Sequence, residues 1–552
     1  MGLMKFRSLS FITFFYVICA SFLFGHSALA LESYEPPPNS YLSAPIYGIT
    51  HFNSAQNDTI PYAVKRGIFK TDITKYPRVS GGPINIQTMA AAQKGYMWVS
   101  STNSVKYIDA RNGAWKTVAA INIPDTKAIS NSQLDRLLAP VYNNEAEVEV
   151  LAKEILGPSP HSITFSGIYV VVDKDNTLYV NGGTTVYAFG LKDQSNPNAG
   201  IEVKRSINVA KYVKPISIMG LPPMSRLMGL SMTYDGNLII CAQSAILVVD
   251  RQFKKEPVVH PLEDGQMLKD SVSVDSENGI YAASSNLQAK GDGLMRRLVW
   301  TGSTISTKES DGAWTSPYDG GDWPPSVKGG TGTGSTPTMM GYDKNQDELV
   351  IITDGSNRFK LVAFWRKDIP KDWKQLPSTK SRRIAGQIQL SAGQPDSVDW
   401  VQSEQSVVVN GWGAFVVNNM IPKGHPDKFV DVLVNGPVTA PPVGMERVEW
   451  NPIKHQFKSV WTRGEVVSTS MVPVASAPSN MVFVNGYSKQ DGWEVTGLDW
   501  NTGKIVHRTI LGKSNLGNGA YAILQFGENG DMIFNSVGGP VLIPLSKIKP
   551  TN

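Results

Sequence analysis

The sequence contains very little cysteine. Of its 552 residues two are cysteines, Cys19 and Cys241, and Cys19 lies in an apolar run that we expect to be removed. A chain left with Cys241 alone forms no intramolecular disulfide and lacks the paired cysteines of common zinc sites. We therefore expect neither feature here.

The sequence also lacks a strong excess of charge of one sign. It carries 52 Lys and Arg residues against 47 Asp and Glu residues, and removal of residues 1–30 would take away Lys5 and Arg7, leaving 50 against 47. Such a balance gives no electrostatic reason to expect nucleic acid or an anionic membrane surface as a partner.

Long hydrophobic runs are absent beyond the N-terminus. There, Lys5 and Arg7 precede the run LSFITFFYVICASFLFG, and Ala28-Leu29-Ala30 supplies the small-x-small pattern of a signal peptidase site. We expect residues 1–30 to be a signal peptide, with an uncleaved N-terminal anchor as the alternative. A secreted chain of this size without disulfides is typical of a bacterial periplasm or exterior, so we expect a secreted or periplasmic protein with no further membrane span.

Common catalytic signatures are missing as well. The chain contains no H-E-x-x-H, G-x-S-x-G or C-x-x-C motif, and the Gly-rich stretch GGTGTGST (329–336) lacks the lysine of a P-loop. The sequence therefore names no reaction, and the remaining information concerns architecture and the position of a ligand.

What the sequence does contain is a repeated β unit. Glycine (50) and proline (35) are plentiful, and short runs of Val, Ile, Tyr and Trp alternate with turn residues in eight units, the first starting at Ile86 and the last at Ala522. Spacings of roughly 40 to 65 residues match propeller blades. We predict an all-β fold, a β-propeller over residues 85–548 with eight blades or alternatively seven, because an additional hairpin, RVEWNPIKHQFKSVWTR, follows the sixth unit.

Two stretches depart from this pattern. Between about 128 and 157, apolar residues recur at three- and four-residue spacing, Asn144 can cap the second half and Gly157-Pro158 ends it, which predicts a small two-helix insertion. The N-terminal segment 31–84 precedes the first unit, and we expect it to close the propeller or to cross its mouth.

One repeat carries a recognisable motif. GLDWNTGKIVH (497–507) resembles the PQQ-like repeat of quinoprotein propellers, matching at Asp499, Thr502, Gly503 and Lys504, and YIDARNGAW echoes it weakly at Asp109 and Gly113. The resemblance implies a propeller of that superfamily. It would also imply a quinoprotein dehydrogenase, but those enzymes typically hold PQQ against adjacent cysteines and beside calcium, and neither arrangement has a counterpart here, so PQQ is disfavoured as the cofactor.

Seven of the eight units place Asn or Asp near the expected loop between the second and third strands. Such residues stabilise tight turns, which would explain them without any function. Alternatively, some converge on a polar axial pocket for a small polar or sugar-like molecule, a glycan, or calcium, which remains a possible cofactor. The ligand-binding candidates are these loop asparagines together with Trp412, a loop tryptophan, and Asn53, which lies in the N-terminal segment. The full set is Asn53, Asn103, Asn181, Asn286, Asn357, Asn410, Trp412, Asn485 and Asn535.

The N-terminal stretch YGITHFNSAQND (47–58) is dense in polar residues around His51 and Asn53. His51 is a candidate general base, and its expected acid partners are Asp354 or Glu446. The function that we expect first is binding of a small polar or sugar-like ligand in an axial pocket, without asserting catalysis. The alternatives are a hydrolase or lyase that uses His51 with Asp354 or Glu446, and a scaffold that presents its loops to a protein or glycan.

Overall fold

The computed structural model of the chain describes residues 1–2, 35–158, 167–217, 222–287, 290–322, 331–343, 346–422 and 424–551. The proposed signal peptide lies almost entirely outside these ranges. Within them, the fold is an eight-bladed β-propeller with a small helical insertion, which confirms the predicted fold class. No helix among the described residues is long and apolar enough to cross a membrane.

Two short strands come first in the chain, and blades 1 to 4 follow them. In each blade the strands are antiparallel neighbours, and blade 4 has its first and fourth strands split in two. The strands are β1 (Thr59–Ile60) and β2 (Gly67–Lys70); blade 1, β3 (Gln87–Ala90), β4 (Tyr96–Ser100), β5 (Ser104–Asp109) and β6 (Lys116–Asn122); blade 2, β7 (Val171–Val172), β8 (Leu178–Gly182), β9 (Thr185–Leu191) and β10 (Ile201–Asn208); blade 3, β11 (Leu227–Met232), β12 (Asn237–Ala242), β13 (Ala245–Asp250) and β14 (Val258–Pro261); blade 4, β15 (Gln266–Leu268), β16 (Ser273–Val274), β17 (Gly279–Asn286), β18 (Gly293–Trp300), β19 (Ile305–Ser306) and β20 (Trp314–Tyr318).

Blades 5 to 8 complete the ring, and the last has three strands of its own. The first strands of neighbouring blades contact one another and surround a central axis. The strands are, in blade 5, β21 (Thr338–Met340), β22 (Leu349–Thr353), β23 (Lys360–Trp365) and β24 (Ile384–Gln389); blade 6, β25 (Val408–Asn410), β26 (Gly413–Val417), β27 (Val443–Asn451) and β28 (Gln456–Val467); blade 7, β29 (Val474–Ser476), β30 (Met481–Ser488), β31 (Gly492–Asp499) and β32 (Ile505–Gly512); blade 8, β33 (Gln525–Phe526), β34 (Met532–Ser536) and β35 (Gly539–Ile543).

The hydrophobic core lies between blades rather than within one layer. Each apolar cluster joins two neighbouring blades, as where Tyr179 of blade 2 packs with Leu230 and Ile240 of blade 3. Both faces of an inner strand are therefore covered. For this reason β11 and β12 read as nearly continuous apolar runs instead of alternating ones.

Residues before blade 1 close the ring. Residues 77–81 run antiparallel to β35, with hydrogen bonds from Val79 N to Pro540 O and from Gly81 N to Gly538 O, both 3.0 Å. They supply the fourth strand that blade 8 lacks. Strand β2 adds parallel to the outer edge of blade 7 beside β32, and β1 adds parallel to its inner edge beside β29.

Three α-helices occur in the described residues. The predicted insertion forms α1 (Asn131–Leu138) and α2 (Glu145–Leu156), and Asn144 caps α2 by accepting the backbone N–H of Glu147 at 2.9 Å. Helix α3 (Lys428–Val434) lies in the long connection between β26 and β27.

The strand assignment that the sequence predicted for the sixth unit was wrong because of this long connection. The supposed additional hairpin is the third and fourth strands of blade 6, β27 and β28. They were assigned to a separate element because the connection around α3 separates them from β25 and β26 by about 25 residues, whereas short turns join the strands of a typical blade.

Candidate active site

Residues 39–60, which we name the axial segment, fill the centre of the propeller. Nearly all of its residues from 47 to 58 are buried, and its backbone and side chains bond to the inner part of every blade. In blade order the hydrogen bonds are Ala90 N to Tyr47 O, Val172 N to Gly48 O, Asn39 Nδ2 to Met232 O, Val274 N to Ser54 O, Met339 N to Ala55 O, Val409 N to Asn57 O, Ala475 N to Asp58 O, and Tyr47 Oη to Phe526 O.

The axial segment adopts an unusual backbone. Five of its non-glycine residues have positive φ angles, namely Tyr47, His51, Phe52, Gln56 and Asp58. Such left-handed conformations disfavour residues with a Cβ and concentrate at functional sites. Here they turn successive carbonyl groups outward to different blades and bring two residues seven positions apart together.

Those two residues are His51 and Asp58. Nδ1 of His51 lies 2.9 and 2.8 Å from the two carboxyl oxygens of Asp58, and the residues are 1% and 0% exposed. Burial raises the pKa of Asp58, and the neighbouring His51 opposes that shift. With Nδ1 engaged by the carboxyl group, the proton-accepting capacity of the ring resides on Nε2.

Tyr169 and Asp270 lie against this pair. The ring of His51 stacks on Tyr169 with centroids 5.5 Å apart, and Tyr169 Oη donates to Asp270 Oδ1 at 3.2 Å. Desolvation raises the pKa of Asp270, while the nearby Lys269 opposes it, followed by Tyr169, Lys428 and His51. Tyr169 also has a positive φ of 48° and is a partly exposed residue.

Glu404 is the second carboxyl group of this region. Ser470 Oγ donates to Glu404 Oε1 at 2.9 Å, and Lys428 Nζ lies 3.8 Å from Oε2. Burial raises the pKa of Glu404 to about 7 against the opposing effects of Lys428 and Ser470, with Asp270 among the charges that raise it further. The Lys428 ammonium also lies over the Tyr521 ring at 4.9 Å. We name His51, Asp58, Tyr169, Asp270, Glu404, Lys428 and Tyr521 the axial cluster.

A shared position explains how distant residues meet. Tyr169, Glu404 and Tyr521 each come shortly before the first strand of a blade, and Asp270 lies between the two halves of one. The start of every innermost strand lies at the same end of the axis. Sequence reasoning searched the loops between second and third strands, further from the axis, and so missed these residues. Charged or aromatic residues directly before a first strand, as in KDSVSV and SEQSVVV, were the available signal.

The expected catalytic partners of His51 lie elsewhere. Asp354 is buried after β22, where it accepts the backbone N–H groups of Ser356 and Lys360 and lies 2.9 Å from Lys360 Nζ. Glu446, in β27, accepts the backbone N–H groups of Ser391 and Ala392, both at 2.9 Å. The carboxyl group that pairs with His51 is Asp58, because the turn of the axial segment brings it there.

The asparagine candidates fall into three structural settings. Asn53 bonds within the axial segment, to Asn57 Oδ1 and Ala55 N. Asn103, Asn181, Asn286 and Asn535 lie at or just after the ends of second strands, while Asn485 is inside β30. Asn485 and Asn535 are buried and donate to backbone carbonyls at the starts of neighbouring segments, at Gly517 and Ile523. These hydrogen bonds connect the two asparagines to the backbone and thus stabilise the fold.

The sixth unit again differs from expectation. Asn410 ends β25 and Trp412 lies in the turn to β26, and these are the first and second strands of blade 6, so both residues lie at the opposite end of the axis from the axial cluster. Asn357 is exposed in the loop after β22. The sequence had placed Asn410 and Trp412 between the second and third strands, because the connection around α3 hid the true third strand.

The described residues offer no ready-made calcium site. Within the described ranges no group of three or more His, Cys, Asp or Glu side chains is placed to hold a metal ion. Among the described residues, neither Asp354 nor Glu446 therefore belongs to a set of carboxylates such as tight calcium binding requires.

Both copies of the PQQ-like motif form the same kind of turn. In blade 7 the Asp499 carboxylate accepts the backbone N–H groups of Asn501 and Thr502, and in blade 1 Asp109 accepts that of Arg111. Each turn joins the third and fourth strands on the blade's outer side. The motif thus has a structural explanation in turn geometry.

Comparison with known proteins shows distant likeness. No family model matches the chain. A protein of Archaeoglobus fulgidus described as uncharacterized is 26% identical over 511 residues, covering 90% of this chain and 86% of that one. Among solved structures, Saccharomyces cerevisiae Sqt1 is similar with a TM-score of 0.38 and 9% identity, covering 68% of this chain and 81% of its own. A putative 6-phosphogluconolactonase from Bacteroides fragilis has a TM-score of 0.37 and 8% identity, covering 76% and 92%.

Proposed function

We propose that the axial cluster binds a small polar, hydroxyl-bearing molecule and performs acid–base chemistry on it, as a hydrolase or lyase. The observation that carries this proposal is the convergence of Asp270 and Glu404, two carboxyl groups with raised pKa values, beside Lys428 at one end of the axis. Perturbed carboxyl groups that interact with each other are typical of acid–base sites.

The surroundings of the cluster support a polar ligand. The buried hydroxyl groups of Ser273, at the start of a first strand, and Ser468, shortly before one, have no hydrogen-bond partner among the described residues. Unsatisfied buried hydroxyls are normally bonded to water or ligand. Tyr169 and Tyr521 are both partly exposed residues, and they add aromatic side chains against which a sugar-like molecule can pack.

The chemistry assigns different roles to the two carboxyl groups. With its pKa near 7, Glu404 is protonated in a large fraction of molecules at neutral pH and can give its proton to a leaving oxygen. In a hydrolysis, water adds its hydroxyl to the electrophilic carbon as the bond to the leaving oxygen breaks. The remaining water proton passes to Asp270, and exchange with solvent restores both groups. The ring of His51, which is bonded to Asp58, stacks on Tyr169 and helps to position it.

Binding is tested by ligand-observed NMR with a panel of neutral sugars, sugar acids and sugar lactones. We expect at least one class to bind the wild-type protein and the control Glu256→Gln, whose carboxylate is exposed on blade 3. Glu404→Gln and Tyr521→Ala should weaken that binding at least tenfold. Equal binding by all variants would place the ligand outside the axial cluster, and binding by none would remove the proposal.

We also propose that the protein is secreted or periplasmic. The proposal rests on the N-terminal pattern of residues 1–30 and on the single remaining cysteine, Cys241, which is buried. N-terminal sequencing of protein recovered from the periplasm or medium should start at Leu31. A mature chain that retains residues 1–30 would overturn it.

A further inference from the structure

A cavity lies between the helical insertion and the long connection of blade 6. It has a volume of about 440 Å³ and is lined by Glu145 at the start of α2 and by Ile421, Gly424, His425, Pro426, Asp431, Thr439 and Ala440. We name it the α3 cavity. Its volume is within the range of small-molecule sites.

The lining of the α3 cavity is acidic. Glu145 and Asp431 are its formally charged residues, and no Lys or Arg is among the described residues that line it. Asp431 is 2% exposed, and its Oδ1 accepts the backbone N–H of His425 at 2.7 Å. Its other oxygen, Oδ2, has no hydrogen-bond partner among the described residues. A buried carboxylate oxygen without a donor is costly, so a bound donor would stabilise it.

Glycine at position 424 fits a cradle around this carboxyl group. A Cβ on Gly424 would lie 2.6 Å from Oδ1 and 2.9 Å from Oδ2 of Asp431, closer than real contacts allow. Burial raises the pKa of Asp431 to about 6, with His425 opposing, so the group is still mainly ionised at neutral pH. The carboxylate is therefore held in place, charged and incompletely bonded.

The orientation of His425 excludes it as a metal ligand in its neutral form. Its Nδ1 accepts the backbone N–H of Asp427 at 2.9 Å, so the neutral ring carries its proton on Nε2. That nitrogen faces Glu145 Oε1 at 3.7 Å and Glu149 Oε2 at 3.9 Å. Together with the lack of any three-residue metal-binding group in the described ranges, this favours an organic cation over a metal ion.

We propose that the α3 cavity binds an organic cation with a primary ammonium or guanidinium group, which donates to Asp431 and pairs with Glu145. Such a group supplies several N–H donors and a positive charge to a site with two carboxyl groups, one of which has an oxygen without a donor among the described residues. The residues that line this cavity are not members of the axial cluster, although Asp431 and Lys428 share helix α3, and the proposal does not depend on the proposed activity.

Isothermal titration calorimetry with cadaverine tests the proposal, with 1,5-pentanediol as the neutral probe of equal chain length. We expect wild-type protein to bind cadaverine but not the diol. Asp431→Asn should weaken binding at least tenfold, and Glu145→Gln, a change at a half-exposed side chain, several-fold. The control Glu154→Gln alters an exposed carboxylate of α2 that does not line the cavity and should bind like wild type.

Several outcomes would overturn the proposal. They are no cadaverine binding by the folded wild type, equal binding by wild type, Asp431→Asn and Glu145→Gln, or equal binding of the diol. Calcium binding that depends on Asp431 would also overturn the proposal, because it would identify the ligand as a metal ion and not an organic cation. Should Asp431→Asn fail to fold, as judged by circular dichroism, Glu145→Gln decides the result, because its side chain is on the surface.

Discussion

Glu404 links the pH dependence of stability to the axial cluster. Its pKa is raised from 4.5 to about 7 by burial, so the folded protein holds this proton more tightly than the unfolded chain. That contribution to stability is complete below pH 4.5 and is lost as the pH rises to about 7. Glu404→Gln has no such group. The difference in free energy of unfolding, variant minus wild type, should therefore rise by up to about 3 kcal/mol between pH 4.5 and pH 7.

Urea unfolding at a series of pH values measures this difference. The control Glu256→Gln changes an exposed carboxylate whose pKa is lowered by Tyr212 and Lys211, so its curve should run parallel to that of wild type between pH 4.5 and pH 7. Parallel curves for wild type and Glu404→Gln would show that Glu404 titrates normally, and the acid role proposed for it would fail.

His507 gives a prediction of the opposite sign. Its Nδ1 lies 2.6 Å from Lys65 O and its Nε2 2.8 Å from Thr509 Oγ1, so the neutral ring is fully bonded, and burial lowers its pKa from 6.5 to about 4. Stability from this residue is present above pH 6.5 and is lost as the pH falls to about 4. His507→Gln should lose less stability over that interval than wild type, by up to about 3 kcal/mol.

Thermal unfolding between pH 7 and pH 4 tests the His507 prediction. The relevant quantity is the loss of unfolding free energy on acidification and not its value at neutral pH, since Gln cannot reproduce both hydrogen bonds of the ring. An acid-induced loss as large in His507→Gln as in wild type would contradict it.

At the scale of elements, the strand formed by residues 77–81 is predicted to control closure of the ring. Proline at position 79 would remove the hydrogen bond from Val79 N to Pro540 O, and a proline inside a paired strand also disturbs its neighbours. We expect Val79→Pro to lower the free energy of unfolding by about 3 kcal/mol relative to Val79→Ala, which loses the buried side chain but keeps the bond.

Denaturant midpoints of the two variants provide the measurement. Because both variants lack the valine side chain, their difference isolates the backbone bond and the proline geometry. Equal midpoints would mean that residues 77–81 do not help to hold blade 8 in place.

Local patterns predicted the elements well. The three- and four-residue spacing of Leu134, Leu137 and Leu138 and the cap at Asn144 specify the helices of the insertion without help from distant residues. The eight repeated runs of strand-forming residues likewise predicted eight blades. Blade 6 was misread because the connection around α3 separates its second and third strands, and pairing across such a distance leaves no mark in local periodicity.

At the scale of the whole molecule, the axial segment is predicted to be required for folding. It buries Tyr47, Ile49 and Phe52 and accepts backbone N–H groups from the first strands of most blades. Without it, those N–H groups would be left unpaired along the axis. We expect protein lacking residues 31–60 to show no cooperative thermal transition, and a synthetic peptide of residues 39–60 to restore one.

A peptide of the same composition in scrambled order is the matched control and should restore nothing. Circular dichroism and scanning calorimetry report the transition. A shortened protein that unfolds cooperatively near the wild-type temperature would show that the propeller does not need the axial segment.

The position of the candidate site could be predicted from the sequence only in part. Polar density around His51 pointed to the N-terminal stretch, but its partner Asp58 required the left-handed turns of that segment. Tyr169, Asp270 and Glu404 are separated by 100 residues or more, and ring closure alone brings them together. Asp354 was selected as the charged residue of a polar loop and Glu446 as a carboxyl group at the entry to the supposed additional hairpin, whereas both accept hydrogen bonds from backbone N–H groups.

Proton release in a pH-stat measures catalysis by the axial cluster. Sugar esters and lactones are supplied to wild type, Glu404→Gln and Glu256→Gln near pH 7. We expect turnover of at least one substrate by wild type and Glu256→Gln, reduced about 100-fold or more in Glu404→Gln, as expected for loss of a general acid. No turnover by wild type, or turnover unaffected by Glu404→Gln, would contradict it.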